Sequence, residues 1–200
     1  MNLPNKITLT RIALIPVFVL IFFLECIPYR FIIAGAIFII AALTDALDGH
    51  IARSRGLVTN LGKFLDPIAD KVLVSTAMIL ILTLKSELFD AYFSNDLIYV
   101  LTVVCVAIIT AREFIISAFR QIAATTGLVM AADKLGKYKA ACQDVSLVAL
   151  FVAADFTGTT GLVLTAIGLS LFAIATVLTV LSGVSYIVKN KAVFSDPANK

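Results

Sequence analysis

Between Ile12 and Val188 the chain is a series of apolar blocks separated by short polar clusters, and the blocks predict six helices. Met1–Arg11 is only weakly apolar and predicts an interfacial helix starting near Lys6, with Asn5 as its cap and Thr8 one turn in. The first span follows as Ile12–Leu24, with Pro16 a point of kinking. After a turn at Glu25–Arg30, Phe31–Leu43 forms the second, its helix continuing through an acidic cluster to about Ala52. The third begins around Gly62–Asp66 and ends at Leu84, before the polar stretch Lys85–Asp96. Leu97–Ala111 is the fourth core, its helix running on through Arg112, Glu113 and Arg120. Ala123–Lys139 reads as a polar connection, Ala140–Ala154 as the fifth span and Leu162–Val188 as the sixth.

With its polar flanks each core approaches the roughly 20 residues that cross a hydrocarbon layer. The expected fold is therefore an all-α integral membrane protein, with six transmembrane helices and an N-terminal interfacial helix in a single domain over residues 1–200. Composition agrees, at 60% hydrophobic and 14% charged residues, with a mean hydropathy of +1.03. Such a chain has no space for a separate soluble catalytic domain, so any chemistry must sit in the helices or short loops. The first apolar block lacks a small-residue cleavage site and reads as a retained helix rather than a signal peptide. Cys26, Cys105 and Cys142 are far apart, fit no zinc or redox spacing and read as apolar filler.

The net charge of +3 is small, and its placement says more. Lys6, Arg11, Arg53, Arg55, Lys63, Lys71, Arg112, Arg120, Lys134, Lys137, Lys139, Lys189, Lys191 and Lys200 fall at one set of helix ends. Arg30 and Lys85 fall at the other, among Glu25, Glu87, Asp90, Asp96 and Asp155. The positive-inside rule puts both termini and the Asp45–Asp70 stretch on the cytoplasmic side of the membrane.

That stretch concentrates the chemistry. Asp45, Asp48, Gly49 and Ala52 share one helix face, and Asp66 and Asp70 lie one turn apart on the next helix, with Gly62 a turn earlier. A hairpin between the two helices turns four carboxylates toward one another. Oxygen ligands without thiol or imidazole favour Mg²⁺, Mn²⁺ or Ca²⁺ over zinc. The glycines clear room for a bulky group, and Arg53 is within reach of phosphate. Together these suggest a phosphoanhydride substrate. Pairing with Arg53, Arg55, Lys63 and Lys71 in a rim of ion pairs explains one carboxylate more easily than four on matched faces.

The pattern Asp45-x-x-Asp48-Gly49-x-x-Ala52-Arg53, eight residues, Gly62-x-x-x-Asp66-x-x-x-Asp70 resembles the signature of the CDP-alcohol phosphatidyltransferases at every defined position. The resemblance implies a homodimer of six-helix subunits in a bacterial cell membrane, each signature binding two divalent cations, Mg²⁺ or Mn²⁺, beside CDP-diacylglycerol. It implies Asp45, Asp48, Asp66 and Asp70 as metal ligands, with Asp70 also the base for the acceptor hydroxyl. It places Gly49, Ala52, Arg53, Thr59 and Gly62 against the CDP moiety, joined by Asn5 and Thr8 of a PNxxT-like lead-in. His50 occupies a variable position of the signature and reads as a bystander.

The second substrate is read from the other basic ends. Arg112, Arg120, Lys137 and Lys139, with Lys134 nearby, suit an acceptor carrying its own phosphate, or alternatively meet anionic headgroups. PNKITLTRIALIPVF, NLGKFLDPIADK, AREF and LGKYKAA resemble the bacterial members that use sn-glycerol 3-phosphate. Inositol phosphate, serine and phosphatidylglycerol are the alternative acceptors. A divalent-cation transporter is the alternative from another class, against which the carboxylates sit at helix ends rather than mid-membrane. No oxidised cofactor or nucleic acid is implied. The sequence leaves open whether Gln143 and Asp144 line the cavity.

Overall fold

The computed structural model describes residues 3–54, 60–125 and 134–190, except for the side chains of 3–6, 45–54, 60–61, 63–64, 124–125 and 134. These residues form six α-helices and, among those described, no strand. The helices are α1 (Leu3–Phe23), α2 (Arg30–Ser54), α3 (Asn60–Thr83), α4 (Leu97–Thr125), α5 (Lys134–Ala154) and α6 (Gly158–Lys189). A π-helical segment, Lys85–Asp90, breaks the polar stretch between α3 and α4.

Successive helices run in opposite directions, as the long-range contacts require. The starts of α1 and α3 meet through Thr8 and Asp66. The start of α5 meets the later half of α4 through Lys139 and Glu113, and Arg112 there meets the end of α6 at Ser182. At the opposite end the Asp155 carboxylate, just past α5, accepts from the Ile32 N–H at 2.7 Å. It thereby satisfies one of the donors that the first turn of α2 leaves without an intrahelical partner. Tyr92 donates to the Phe156 carbonyl at 3.1 Å. Lys85 bonds Asp90 and Asp96 at 2.6 and 2.9 Å, which holds its ammonium above the usual lysine range. The predicted acidic end is thus a real structural end.

Packing is closest between α5 and α6, then between α1 and α2. Gly168 makes the first possible, because a Cβ there would lie 2.7 Å from the Leu150 side chain. Ser146 uses the close approach to donate to the Gly168 carbonyl at 2.8 Å. The main core joins α1, α2 and α5 around Phe151, whose ring meets Phe18, Phe22 and Phe38 at 5.7, 5.8 and 6.4 Å. These edge-on pairs are an arrangement that aromatic quadrupoles favour. A smaller cluster of Ile116, Phe119, Ala123 and Tyr186 pins α4 to α6 near the basic end.

Among the described residues, two helices are long and apolar enough to cross a membrane, Leu97–Ala123 and Gly158–Lys189, while Ile7–Phe23 and Arg30–Thr44 are shorter apolar stretches. Much of their apolar surface points outward: Val100, Leu101, Val104 and Ile115 on α4, and Val163, Ile174, Val177 and Leu181 on α6, are exposed. Outward apolar faces of this extent suit lipid rather than water.

Three boundaries differ from the sequence expectation. The lead-in and first span form one unbroken helix beginning at Leu3, so Asn5 lies inside its first turn instead of capping it. Pro4 suits such a start, since its missing N–H is one that a first turn leaves unpaired anyway. α5 begins at Lys134, which puts Lys137 and Lys139 on a helix rather than in a connection. Gly136 lowers local helix propensity by about 1 kcal/mol, but the packed and ion-paired Lys139 holds the turn in place. α6 starts at Gly158, whose φ of +66° turns the chain into the helix.

Candidate active site

Asp66 and Asp70 lie one helical turn apart on α3, Asp66 half-buried and Asp70 exposed. The buried Thr8 hydroxyl of α1 donates to Asp66 Oδ1 at 2.8 Å and so fixes the orientation of that carboxylate. Gly62, a turn earlier, is buried. Asp45, Asp48, Gly49, His50, Ala52 and Arg53 all lie on α2, but their side chains are outside the described set, as is that of Asn5. Thr59 lies wholly outside the described residues.

The α2 wall of this end is anchored from α1. Arg11 is fully buried and its Nε donates to Thr44 Oγ1, immediately before Asp45, at 3.2 Å. A buried guanidinium is tolerated only when hydrogen-bonded, so Arg11 supports the α2 wall of the carboxylate site rather than standing as a surface charge.

Two of the basic residues, Arg112 and Lys139, converge on Glu113. Its Oε1 accepts from Arg112 Nη1 at 3.0 Å and from Lys139 Nζ at 2.7 Å. Arg112 Nη2 donates to Ser182 Oγ at 2.9 Å. Gly183 lets the arginine lie along α6, since a Cβ there would be 3.1 Å from Arg112 Cγ and 3.3 Å from Nε. Arg120 stacks over the Tyr186 ring at 5.3 Å and donates from Nε to the Tyr186 hydroxyl at 3.2 Å. Lys137 is exposed. Arg112, Arg120 and Lys139 are therefore held against α6 or Glu113, and Lys137 stands apart at the helix surface.

Lys71, next to Asp70, bridges the acidic and basic groups. Its Nζ donates to the Glu113 carbonyl at 3.3 Å, and its charge interacts with Glu113, Arg120, Asp70 and Arg112. Asp144 on α5 is half-buried and within electrostatic range of both Asp70 and Lys139. The neighbouring Gln143 side chain is buried, with Nε2 3.5 Å from Met78 Sδ.

The donor chemistry of Asp66 and Asp70 fits a hard divalent cation: two carboxylates one turn apart, one already oriented by a hydroxyl. Among the described residues no three His, Cys, Asp or Glu side chains gather into a metal-binding group. Asp45 and Asp48, the other half of the expected set, lie outside those residues.

Sequence reasoning noted Glu113 only as the neighbour of Arg112, although an acid inside an apolar helix was the available signal. Ser182 and Tyr186 carried no signal, because a serine and a tyrosine in an apolar span look like filler.

An acidic pair at the start of α3, a group of cations linked to it through Lys71 and an all-helical apolar scaffold stand together at this end of the helices. The chain belongs to the CDP-alcohol phosphatidyltransferase family, whose model matches residues 1–184. Among its relatives is the CDP-diacylglycerol–glycerol-3-phosphate 3-phosphatidyltransferase of Bacillus subtilis (strain 168), 42% identical over 76% of this chain and 77% of that protein. The protein of the same name from Rickettsia bellii (strain RML369-C) is 36% identical over 92% of this chain and 93% of its own length. A cardiolipin synthase (CMP-forming) of Oryza sativa subsp. japonica is 37% identical over 78% of this chain but 47% of that protein.

Proposed function

We propose that this chain is an enzyme that transfers the phosphatidyl group from CDP-diacylglycerol to sn-glycerol 3-phosphate, giving phosphatidylglycerophosphate and CMP. The observation that carries the reading is Lys71, which follows Asp70 on α3 and donates from Nζ to the Glu113 carbonyl at 3.3 Å, beside Arg112. A phosphorylated acceptor bound among the cations would have its hydroxyl within range of Asp70. The names of the Bacillus and Rickettsia relatives support the same acceptor.

Asp45, Asp48, Asp66 and Asp70 would hold two divalent cations, Mg²⁺ or Mn²⁺, which when bound supply Lewis-acid polarisation of phosphoryl oxygens. Gly49, Ala52, Arg53, Thr59 and Gly62, with Asn5 and Thr8, would receive the CDP moiety. Arg112, Arg120, Lys137 and Lys139 would bind the acceptor phosphate and set the direction of its hydroxyl. Asp70 would take the hydroxyl proton as the acceptor oxygen attacks the lipid-side phosphorus. The bond from that phosphorus to the bridging anhydride oxygen breaks, and CMP departs with the bridging oxygen. Positioning and electrostatics carry most of the rate in phosphoryl transfer.

On this reading all six helices cross the membrane of a bacterial cell, with the start of α1 lying at the interface. The active site and both termini face the cytoplasm, residues 1–200 form one domain, and two chains form a homodimer. The test is CMP release from CDP-diacylglycerol by purified protein in detergent with Mg²⁺ or Mn²⁺. sn-Glycerol 3-phosphate, inositol 1-phosphate, serine and phosphatidylglycerol are offered separately. Release that depends on sn-glycerol 3-phosphate supports the reading. Release with another acceptor keeps the reaction and changes the substrate, and no release with any acceptor overturns the reading.

A further inference from the structure

Among the described residues, Glu113 is the acidic side chain hydrogen-bonded to both Arg112 and Lys139, and its position is specific. A single oxygen, Oε1, receives Arg112 Nη1 from its own helix and Lys139 Nζ from α5. The two cationic nitrogens are consequently within about 6 Å of one another, a range at which like charges repel. Lys139 is buried and the Arg112 side chain is mostly so. Without an anion between them, one of the two would have to swing away. The Glu113 main chain is also engaged, its carbonyl accepting from Lys71 of α3 and from the Ser117 hydroxyl.

We propose that Glu113 is a positioning residue for anion recognition. Its carboxylate holds the Arg112 guanidinium and the Lys139 ammonium in a fixed pair, so that a phosphate monoester meets both at once. The inference rests on reading the basic group as the acceptor-phosphate pocket, and it adds the residue that assembles that pocket. Arg112 is gripped from two sides, by Glu113 at Nη1 and Ser182 at Nη2, which fixes the plane of its fork. Lys139 has no such planar constraint, and its place is set by the 2.7 Å bond to Glu113. The carboxylate therefore acts through the two cations and touches no reacting atom.

The test measures binding of inorganic phosphate to full-length protein in detergent, from the rise of its unfolding temperature with phosphate concentration. Glu113→Gln keeps the size of the side chain and removes its charge. It should weaken phosphate binding about tenfold or more, as expected when one partner of a buried charge pair is lost. The KM for sn-glycerol 3-phosphate should rise in parallel while the KM for CDP-diacylglycerol stays within about twofold, a split that general loosening of the fold would not produce. Glu113→Asp keeps the charge, and with it the fold, but withdraws the oxygens by one methylene. It should weaken phosphate binding about threefold or more, and it carries the test if Glu113→Gln does not fold. Wild-type phosphate affinity in either folded variant overturns the proposal, and so does a wild-type protein that phosphate does not stabilise. Failure of the functional reading is distinguishable: it is absence of CMP release with sn-glycerol 3-phosphate, whatever the phosphate measurement gives.

Discussion

The Thr8 hydroxyl of α1 donates a 2.8 Å hydrogen bond to Oδ1 of Asp66 on α3, across 58 residues of sequence. Two helix starts that approach this closely share one polar contact at the acidic end of the site. Thr8 is buried, so the bond is shielded from competing water. A hydrogen bond to a charged group contributes about 1.5–3 kcal/mol. Thr8→Val keeps the shape and removes the donor, and kcat/KM for CDP-diacylglycerol should fall about tenfold or more. Thr8→Ser should recover most of the loss. Equal activity of the valine and serine variants would show that the hydroxyl does not orient Asp66 for function.

Asp70 is the exposed member of the pair and the base in the proposed mechanism. Asp70→Asn removes the proton acceptor at nearly constant volume. Turnover should drop by about 10² or more, while CDP-diacylglycerol still raises the unfolding temperature in the presence of Mg²⁺ or Mn²⁺. Full turnover would remove Asp70 from the role.

Gly183 sets how near Arg112 can come to α6. A Cβ at this position would stand 3.1 Å from Arg112 Cγ and 3.3 Å from Nε. Gly183→Val adds two further methyls at that contact and should push the guanidinium off Ser182. The KM for sn-glycerol 3-phosphate should rise severalfold with little change in the KM for CDP-diacylglycerol. An unchanged acceptor KM would mean that Arg112 binds its phosphate from another position.

Phe151 is the hub of the aromatic core, fully buried between α1 and α2. Its removal leaves a cavity that Phe18, Phe22 and Phe38 cannot fill without leaving their own partners. Phe151→Ala should lower stability by about 3–5 kcal/mol, read as loss of thermal unfolding midpoint in detergent. Phosphate and nucleotide affinity in the remaining folded fraction should be unchanged, because the cluster contributes no side chain to the site.

The six helices were legible because each is an apolar block bounded by charge. Their boundaries were less so. Lys137 and Lys139 look like loop residues when read locally, and only packing of α5 against its neighbours, with the Lys139–Glu113 bond, extends the helix back to Lys134. The carboxylate signature was legible too, because spacing on two helices is a local property. The burial of Arg11 was not legible, since nothing near it in sequence reveals that Thr44 lies against it on another helix.

What the sequence by itself determined is therefore what short-range periodicity encodes: the helices, the acidic stretch, the charged ends and the family. What only the tertiary structure decided is which charges meet. Glu113 becomes the shared anion of Arg112 and Lys139, Ser182 and Tyr186 become partners of the arginines, and Gln143 turns to Met78 while Asp144 comes within electrostatic range of Asp70. Each of these depends on the rotation and depth of one helix against another. Those are set by small packing details such as Gly168 and Gly183, which are summed over the whole core and have no local signature.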